Sequence, residues 1–258
     1  MKKYVLITGA SSGIGKSYAK MYAQKGNNLI IVARSEDKLK QLARELELKY
    51  KVNIEIIVMD LSLEYAGKIL YEEIEKRHLN VNVLVNNAGF ATKGLFNKID
   101  FDQQHKEILL NMATLTELTY LILGDMCEKK QGTIINIASA ASFNPLPYSA
   151  VYAATKAYVL SLTESLSYEY KKYGIRVLAV CPGATDTHFF DNFGAVTNNL
   201  RRPEDVVNTT FHALENENKI ICTDGMFCKL QVLLHRISTR KHALKFMGKA
   251  GEKTWGGK

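Results

Sequence analysis

Apolar positions along this chain fall into short unbroken runs, separated by longer stretches in which they recur every three or four residues. The runs Tyr4–Thr8, Leu29–Ala33, Ile54–Met59, Val81–Asn86, Thr133–Ala138 and Ile175–Val180 are rich in Val and Ile and predict strands. Between them, Gly15–Lys25, Glu36–Tyr50, Leu63–Arg77, Asp102–Lys130 and Tyr152–Tyr173 carry helical spacing. The strands are apolar throughout instead of alternating, as expected when helices cover both faces of a parallel sheet. Strand–helix alternation of this kind predicts an α/β fold with an open, doubly wound sheet. Pro203-Glu204-Asp205 reads as a further helix start, with proline in the first turn and acids at the positive end of the helix dipole. No linker, repeat or low-complexity tract divides the chain. The expectation is one domain over residues 1–225, with a C-terminal extension over 226–258 packed on it.

Composition adds limits to this picture. At 258 residues, 47% hydrophobic and 23% charged, the chain is globular and large enough to hold a core without disulfides. Cys127, Cys181, Cys222 and Cys228 have no metal-ligand spacing and lie in or beside apolar stretches, so they read as reduced thiols, and no metal is expected. Tyr4–Thr8 is too short for a secretory apolar region, and no apolar run approaches the roughly 20 residues of a membrane span. A cytoplasmic protein is the expectation. Net charge is +8, but nine Lys or Arg lie from Lys219 onward against Asp224 and Glu252, so nearly all of it belongs to the tail. A local basic tail, unlike a uniformly basic surface, does not point to nucleic acid.

Candidate chemistry begins at Thr8-Gly9-Ala10-Ser11-Ser12-Gly13-Ile14-Gly15, which follows a strand and opens a helix. Glycines there permit a tight turn and close approach to a pyrophosphate, and the helix end offers unpaired N–H groups to an anion. Any tight strand-to-helix turn can use glycine, and the spacing is G-x-x-x-G-x-G. The end of the second strand selects the cofactor. A carboxylate there suits the 2′-hydroxyl of NAD, whereas Ala33-Arg34-Ser35 offers a guanidinium to the 2′-phosphate of NADP(H). Asp60 follows the third strand, where it can meet the adenine, and Asn86-Asn87-Ala88-Gly89 follows the fourth.

Tyr152 and Lys156 are four residues apart on a helix and share a face. A tyrosine titrates near 10 when free, and an adjacent ammonium lowers that value by an expected two to three units, roughly 3–4 kcal/mol, bringing it into range for acid–base work. Ser139 ends a strand where open α/β sheets place their ligand crevice, 13 residues before Tyr152.

Taken with Asn111 and Pro182-Gly183-Ala184-Thr185-Asp186-Thr187, these motifs closely resemble the short-chain dehydrogenase/reductase family over about Lys3 to Leu214. The resemblance implies a single-domain Rossmann fold and an NADP(H)-dependent oxidoreductase acting on a carbonyl or secondary alcohol. It implies that Tyr152 exchanges a proton with the substrate oxygen and that Ser139 steadies that oxygen. Lys156 would lower the tyrosine pKa and bond the nicotinamide ribose, while Asn111 would hold a water linking Lys156 to solvent. Cofactor contacts would come from Gly9, Ser11, Ser12, Gly13, Ile14, Gly15, Arg34, Asp60, Leu61, Asn87, Ala88, Gly89, Tyr152, Lys156, Pro182, Gly183, Thr185 and Thr187. Homodimers and homotetramers are the implied assemblies.

The resemblance thins toward the C-terminus. Phe189, Phe190 and Phe193 lie where the family covers its substrate and suggest an apolar or lipid-like ketone, although they suit a core beneath a lid equally well. A weaker resemblance to hydroxysteroid and long-chain 3-oxoacyl reductases points the same way. Residues Phe227–Met247 read as a helix with Phe227, Leu230, Leu234 and Ile237 on one stripe and Lys229, Arg236 and Arg240 on another side. Docking on the domain or at a subunit interface is the favoured reading, ahead of a membrane surface or an acidic substrate carrier. A catalytically silent nucleotide-sensing or membrane-surface binding protein on the same fold is the alternative function.

Overall fold

Runs without a polar face become strands covered on both sides. In the computed structural model, which describes residues 2–187, 189, 200–225 and 239–252, the described strands form one sheet. They are β1 (Lys3–Thr8), β2 (Asn28–Ala33), β3 (Ile54–Val58), β4 (Asn80–Asn86), β5 (Gly132–Ile137), β6 (Ile175–Cys181) and β7 (Ile221–Thr223). Their order is β3-β2-β1-β4-β5-β6-β7, and every pairing is parallel. The chain reverses its direction of travel across the sheet between β1 and β4, which opens a crevice at the carboxyl ends of those strands. This is the doubly wound Rossmann architecture.

The described helices are α1 (Gly13–Gln24), α2 (Glu36–Tyr50), α3 (Ala66–Lys76), α4 (Phe101–Ile108), α5 (Leu115–Lys129), α6 (Ala150–Tyr170), α7 (Pro203–Leu214) and α8 (Arg240–Gly251). On one face, Tyr18, Tyr22, Leu39, Leu42, Val206 and Val207 of α1, α2 and α7 pack on Val5, Ile7, Leu29 and Ile31. On the other, Leu70, Ile74, Leu118, Ile122 and Met126 of α3 and α5 pack on Leu6, Ile30 and Leu84. Val159 and Leu160 of α6 join Ala179 and Cys181 of β6. Each such aliphatic side chain contributes about 1.5–3 kcal/mol by leaving water, which holds the carboxyl edge of the sheet as a rigid platform. No described helix is long and apolar enough to cross a membrane.

One element differs from the sequence reading, and a second is described only in part. The helix expected over Asp102–Lys130 is broken, because Leu109–Thr114 forms a π-helical turn between α4 and α5. Leu109, Leu110 and Met112 keep an apolar stripe through either hydrogen-bonding pattern, so periodicity does not reveal the wider turn. Of the helix expected over Phe227–Met247, only Thr239–Met247 lies among the described residues; there α8 starts at Arg240, with the Thr239 hydroxyl accepting from the His242 N–H, and runs on to Gly251. Phe227, Leu230, Leu234 and Ile237 lie outside the described residues. The α8 helix meets the chain ahead of α6: a Cβ on Gly251 would sit 3.0 Å from the Tyr148 ring and 3.2 Å from the Pro147 carbonyl oxygen.

Candidate active site

The crevice between β1 and β4 is built by hydrogen bonds between the two strand ends. The Thr8 hydroxyl accepts from the N–H groups of Asn87 and Ala88, each at 3.0 Å. The Asn87 side-chain amide donates to the carbonyls of Thr8 at 2.9 Å and Gly9 at 3.3 Å. Thr8, read in the sequence only as a strand end, is thus the pin that fixes Asn87 and Ala88 against the glycine loop. Gly9 has φ +66°, and a Cβ there would press within 2.9 Å of both the Ala88 backbone and the Asn87 amide. A Cβ on Gly15 would collide with the Gly9 carbonyl. The loop therefore needs glycine at both places.

Beyond the loop, α1 begins without a side-chain cap from Ser12 and without an acid in its first turn, which leaves its positive end to an outside anion. Ser11 and Ile14 are partly buried in the same loop. Gly13 faces Thr187, whose Cγ2 would lie 2.8 Å from a Cβ on Gly13, so the segment after β6 closes over the loop. That segment is held from both sides. The Ala140 N–H donates to the Pro182 carbonyl at 2.9 Å, and the Thr185 hydroxyl donates to the Gly183 carbonyl at 3.0 Å.

Thr185 also forms a bridge with Arg201, whose guanidinium grips the buried Asp224 carboxylate at 2.8 and 3.0 Å; Thr209 donates to the same group at 2.8 Å. Asp224, counted in the sequence only as a charge, ties Arg201 and Thr209 together beneath this segment. Asp224→Ala is expected to cost about 1.5–3 kcal/mol, the range for a hydrogen bond to a charged group. A urea midpoint unchanged from the native protein would show that this ion pair does not hold the segment.

At the rim, Arg34 ends β2 exposed to solvent and Asp60 follows β3. Burial alone would raise the Asp60 carboxyl, but two bonds from Ser62 and the charges of Arg34 and Lys106 outweigh it and hold the group below its ordinary value. Leu61 is buried, and its carbonyl accepts from the Thr114 hydroxyl at 2.8 Å.

Ser139, Tyr152, Lys156 and Asn111 converge at the carboxyl end of β5. Ser139 starts a turn of 3₁₀ helix, with its hydroxyl accepting from the Ala141 N–H at 3.1 Å and its own N–H donating to Ser142. Ser142 in turn donates to the Lys156 carbonyl at 2.8 Å, which ties this turn to α6. The Lys156 ammonium is buried and donates to the Ile137 carbonyl at 2.7 Å. It lies 5.9 Å from the centre of the Tyr152 ring. Asn111 sits in the π turn, donating to the Phe90 carbonyl at 2.9 Å and the Thr155 hydroxyl at 3.1 Å, and accepting from the Phe90 N–H at 3.2 Å. Phe189 packs on Tyr152 with ring centres 5.5 Å apart, which gives the phenol an apolar neighbour. Phe190 and Phe193 lie outside the described residues.

The electrostatics correct one expectation. The tyrosine was expected to be acidified by Lys156. Instead burial pushes the Tyr152 phenol up to about 12, with Ser139 opposing and Glu107 adding to the rise. Burial likewise brings the Lys156 ammonium down to about 8, partly offset by Cys181 and Glu107. The physical reason is loss of water around both groups; the ammonium donates to the Ile137 carbonyl and lies 5.9 Å from the centre of the Tyr152 ring. At neutral pH this geometry holds a protonated phenol.

With the glycine loop, the crevice and these four side chains in place, comparison with known proteins is informative. Residues 3–197 match the sequence pattern of the family described as short chain dehydrogenase. The chain belongs to this family. Over 186 residues, 70% of its length, this short-chain dehydrogenase is 35% identical to the very-long-chain 3-oxoacyl-CoA reductase of Bos taurus. It is 34% identical over 184 residues to a Homo sapiens protein named inactive hydroxysteroid dehydrogenase-like protein 1. Those matches take in 58% and 55% of the relatives, so the dehydrogenase chain spans somewhat more than half the length of each. Among solved structures, a short-chain dehydrogenase from Sphingobium yanoikuyae in complex with NADPH is 28% identical, with a TM-score of 0.81 over 98% of this chain and 95% of that one.

Proposed function

We propose that this chain is an NADPH-dependent reductase of an apolar ketone, of the 3-oxoacyl or steroid type. The observation that carries the reading is the convergence of Ser139, Tyr152, Lys156 and Asn111 on one crevice that also holds the glycine loop. A protein that only binds a nucleotide needs the loop but not a phenol, a buried lysine and a serine beside it.

The crevice suits a dinucleotide. The uncapped start of α1, the backbone cradle at Gly9 and Gly15, and the Thr187 cover over Gly13 would hold the pyrophosphate and nicotinamide ends. Arg34 would take the 2′-phosphate, and Asp60 with Leu61 would flank the adenine. Asn87, Ala88 and Gly89 would line the nucleotide from β4, and Pro182, Gly183 and Thr185 would line it from β6. When bound, NADPH supplies the hydride.

The chain's own residues supply the proton. Tyr152 gives its phenolic proton to the carbonyl oxygen, and Ser139 donates a hydrogen bond to the same oxygen. Lys156 stabilises the phenolate left behind, and Asn111 keeps the π turn and the Phe90 loop fixed beside Lys156. An alkoxide is more basic than a phenolate, so the transfer is favourable even from a phenol that titrates high. Phe189 against Tyr152 supports an apolar substrate, as does the name of the Bos taurus relative.

The test is NADPH oxidation across steroids, 3-oxoacyl thioesters and small aromatic ketones. Turnover confined to one of the first two classes is expected. No turnover with any class, in protein that binds NADPH, would favour a silent nucleotide-binding protein, the reading suggested by the human relative's name.

A further inference from the structure

Glu107 is a buried carboxylate to which the proton chemistry above gives no part. It lies on α4 one turn before Asn111 and is fully buried. One of its oxygens, Oε2, accepts from the Thr92 N–H at 2.9 Å and the Thr92 hydroxyl at 2.6 Å. The other, Oε1, is buried with no hydrogen-bond partner among the described residues. A buried carboxylate half-satisfied in this way is costly unless a cation shares its surroundings.

The cation nearby is Lys156. Gly89 marks how tightly this corner is packed, since a Cβ there would lie 2.9 Å from Asn111 Oδ1 and 3.5 Å from Lys156 Nζ. Asn111 also reaches Thr155 on α6, the residue before Lys156. Glu107 lies in the last turn of α4, which packs against α6 and leads straight into the π turn that carries Asn111, so it adjoins this corner. The Thr92 bonds fix the carboxylate from the opposite side, and the Ser149 hydroxyl fixes Thr92 by donating to its carbonyl at 3.0 Å.

We infer that Glu107 is the fixed countercharge of Lys156, a positioning residue that keeps the buried ammonium charged and ready to stabilise the Tyr152 phenolate. This rests on the reductase reading for its purpose, but not for its test. The groups facing Lys156 are Tyr152 on its own helix, Cys181 at the end of β6 and Glu107 on α4. A thiol and a phenol are neutral until they ionise, which leaves Glu107 as the one carboxylate among these groups. The coupling runs both ways: Glu107 raises the lysine, while Lys156 pulls the carboxylate down against a larger rise from burial.

The experiment follows Lys156 by NMR in cofactor-free protein labelled with ¹³C at the lysine ε-carbons, its signal assigned by its loss in Lys156→Met. Glu107→Gln keeps the shape and can still accept from Thr92, but removes the charge. It is expected to lower the Lys156 midpoint from about 8 by about one pH unit, the effect of removing a nearby opposite charge. Because coupling between two sites is reciprocal, Lys156→Met should raise the Glu107 midpoint, read at its δ-carbon, by a similar amount. This second arm stands even if Glu107→Gln does not fold. In turnover, the alkaline limb of kcat/KM for reduction should move to lower pH by the same shift in Glu107→Gln.

A loss of thermal stability with both midpoints unmoved would mean that Glu107 is only a structural buttress, and would overturn the inference. Moved midpoints in a protein that reduces no ketone would leave the inference standing and sink the reductase reading instead.

Discussion

Tyr152→Phe is expected to lower kcat for ketone reduction by about 10²–10⁴-fold, the contribution of a positioned general acid, while leaving NADPH affinity within about twofold. The substitution removes one oxygen and keeps the ring, so the packing of Phe189 at 5.5 Å is preserved. What is lost is the proton and the hydroxyl facing Ser139. Native protein and variant should unfold at similar temperatures, since the ring and its packing are retained. Burial holds that phenol near 12 in the cofactor-free structure, so the proton stays in place throughout the neutral range. Turnover by Tyr152→Phe at the native rate would remove Tyr152 from the mechanism.

The second large effect concerns cofactor choice. Arg34→Asp is expected to shift the ratio of NADPH to NADH efficiency by about a hundredfold toward NADH. A charge-assisted hydrogen bond of about 1.5–3 kcal/mol corresponds to roughly ten- to hundredfold in affinity, and a carboxylate at the same place adds repulsion toward a 2′-phosphate. Arg34 is exposed at the end of β2, and Asp60 at the end of β3 senses its charge. The effect should appear in KM for NADPH more than in kcat, because Arg34 is remote from Tyr152. An unchanged preference would take Arg34 out of the 2′-phosphate site.

The fold was legible because the strands are buried on both faces. An unbroken run such as Leu29–Ala33 has no other stable place than the interior of a parallel sheet. The glycine loop was legible for a related reason: close backbone approaches at Gly9 and Gly15 exclude every side chain, and the sequence records that exclusion directly.

Other features leave no such trace. The π turn at Leu109–Thr114 carries the same apolar stripe as an α-helix would, so its presence at Asn111 had to be seen. Glu107 sits in Gln103-Gln104-His105-Lys106-Glu107, which reads as a solvated helix face. Only the Thr92 loop folding back onto it makes the carboxylate buried. Helical spacing places Lys156 on the same face as Tyr152 without saying where its ammonium points, so it does not fix the pKa of the phenol. The ammonium points to the Ile137 carbonyl. The anchoring of the segment after β6 by Arg201 and Asp224 depends on residues 23 apart, which no local pattern links.

The central claim is that Tyr152 passes a proton while the nicotinamide passes a hydride. It is tested most directly with NADPH deuterated at the transferable position of the nicotinamide ring and the ketone that turns over best, by mass analysis of the alcohol produced. The native protein should place one deuterium on the carbinol carbon, and Tyr152→Phe should yield almost no alcohol in the same time. An alcohol without deuterium, or labelled alcohol formed equally fast by Tyr152→Phe, would contradict that claim.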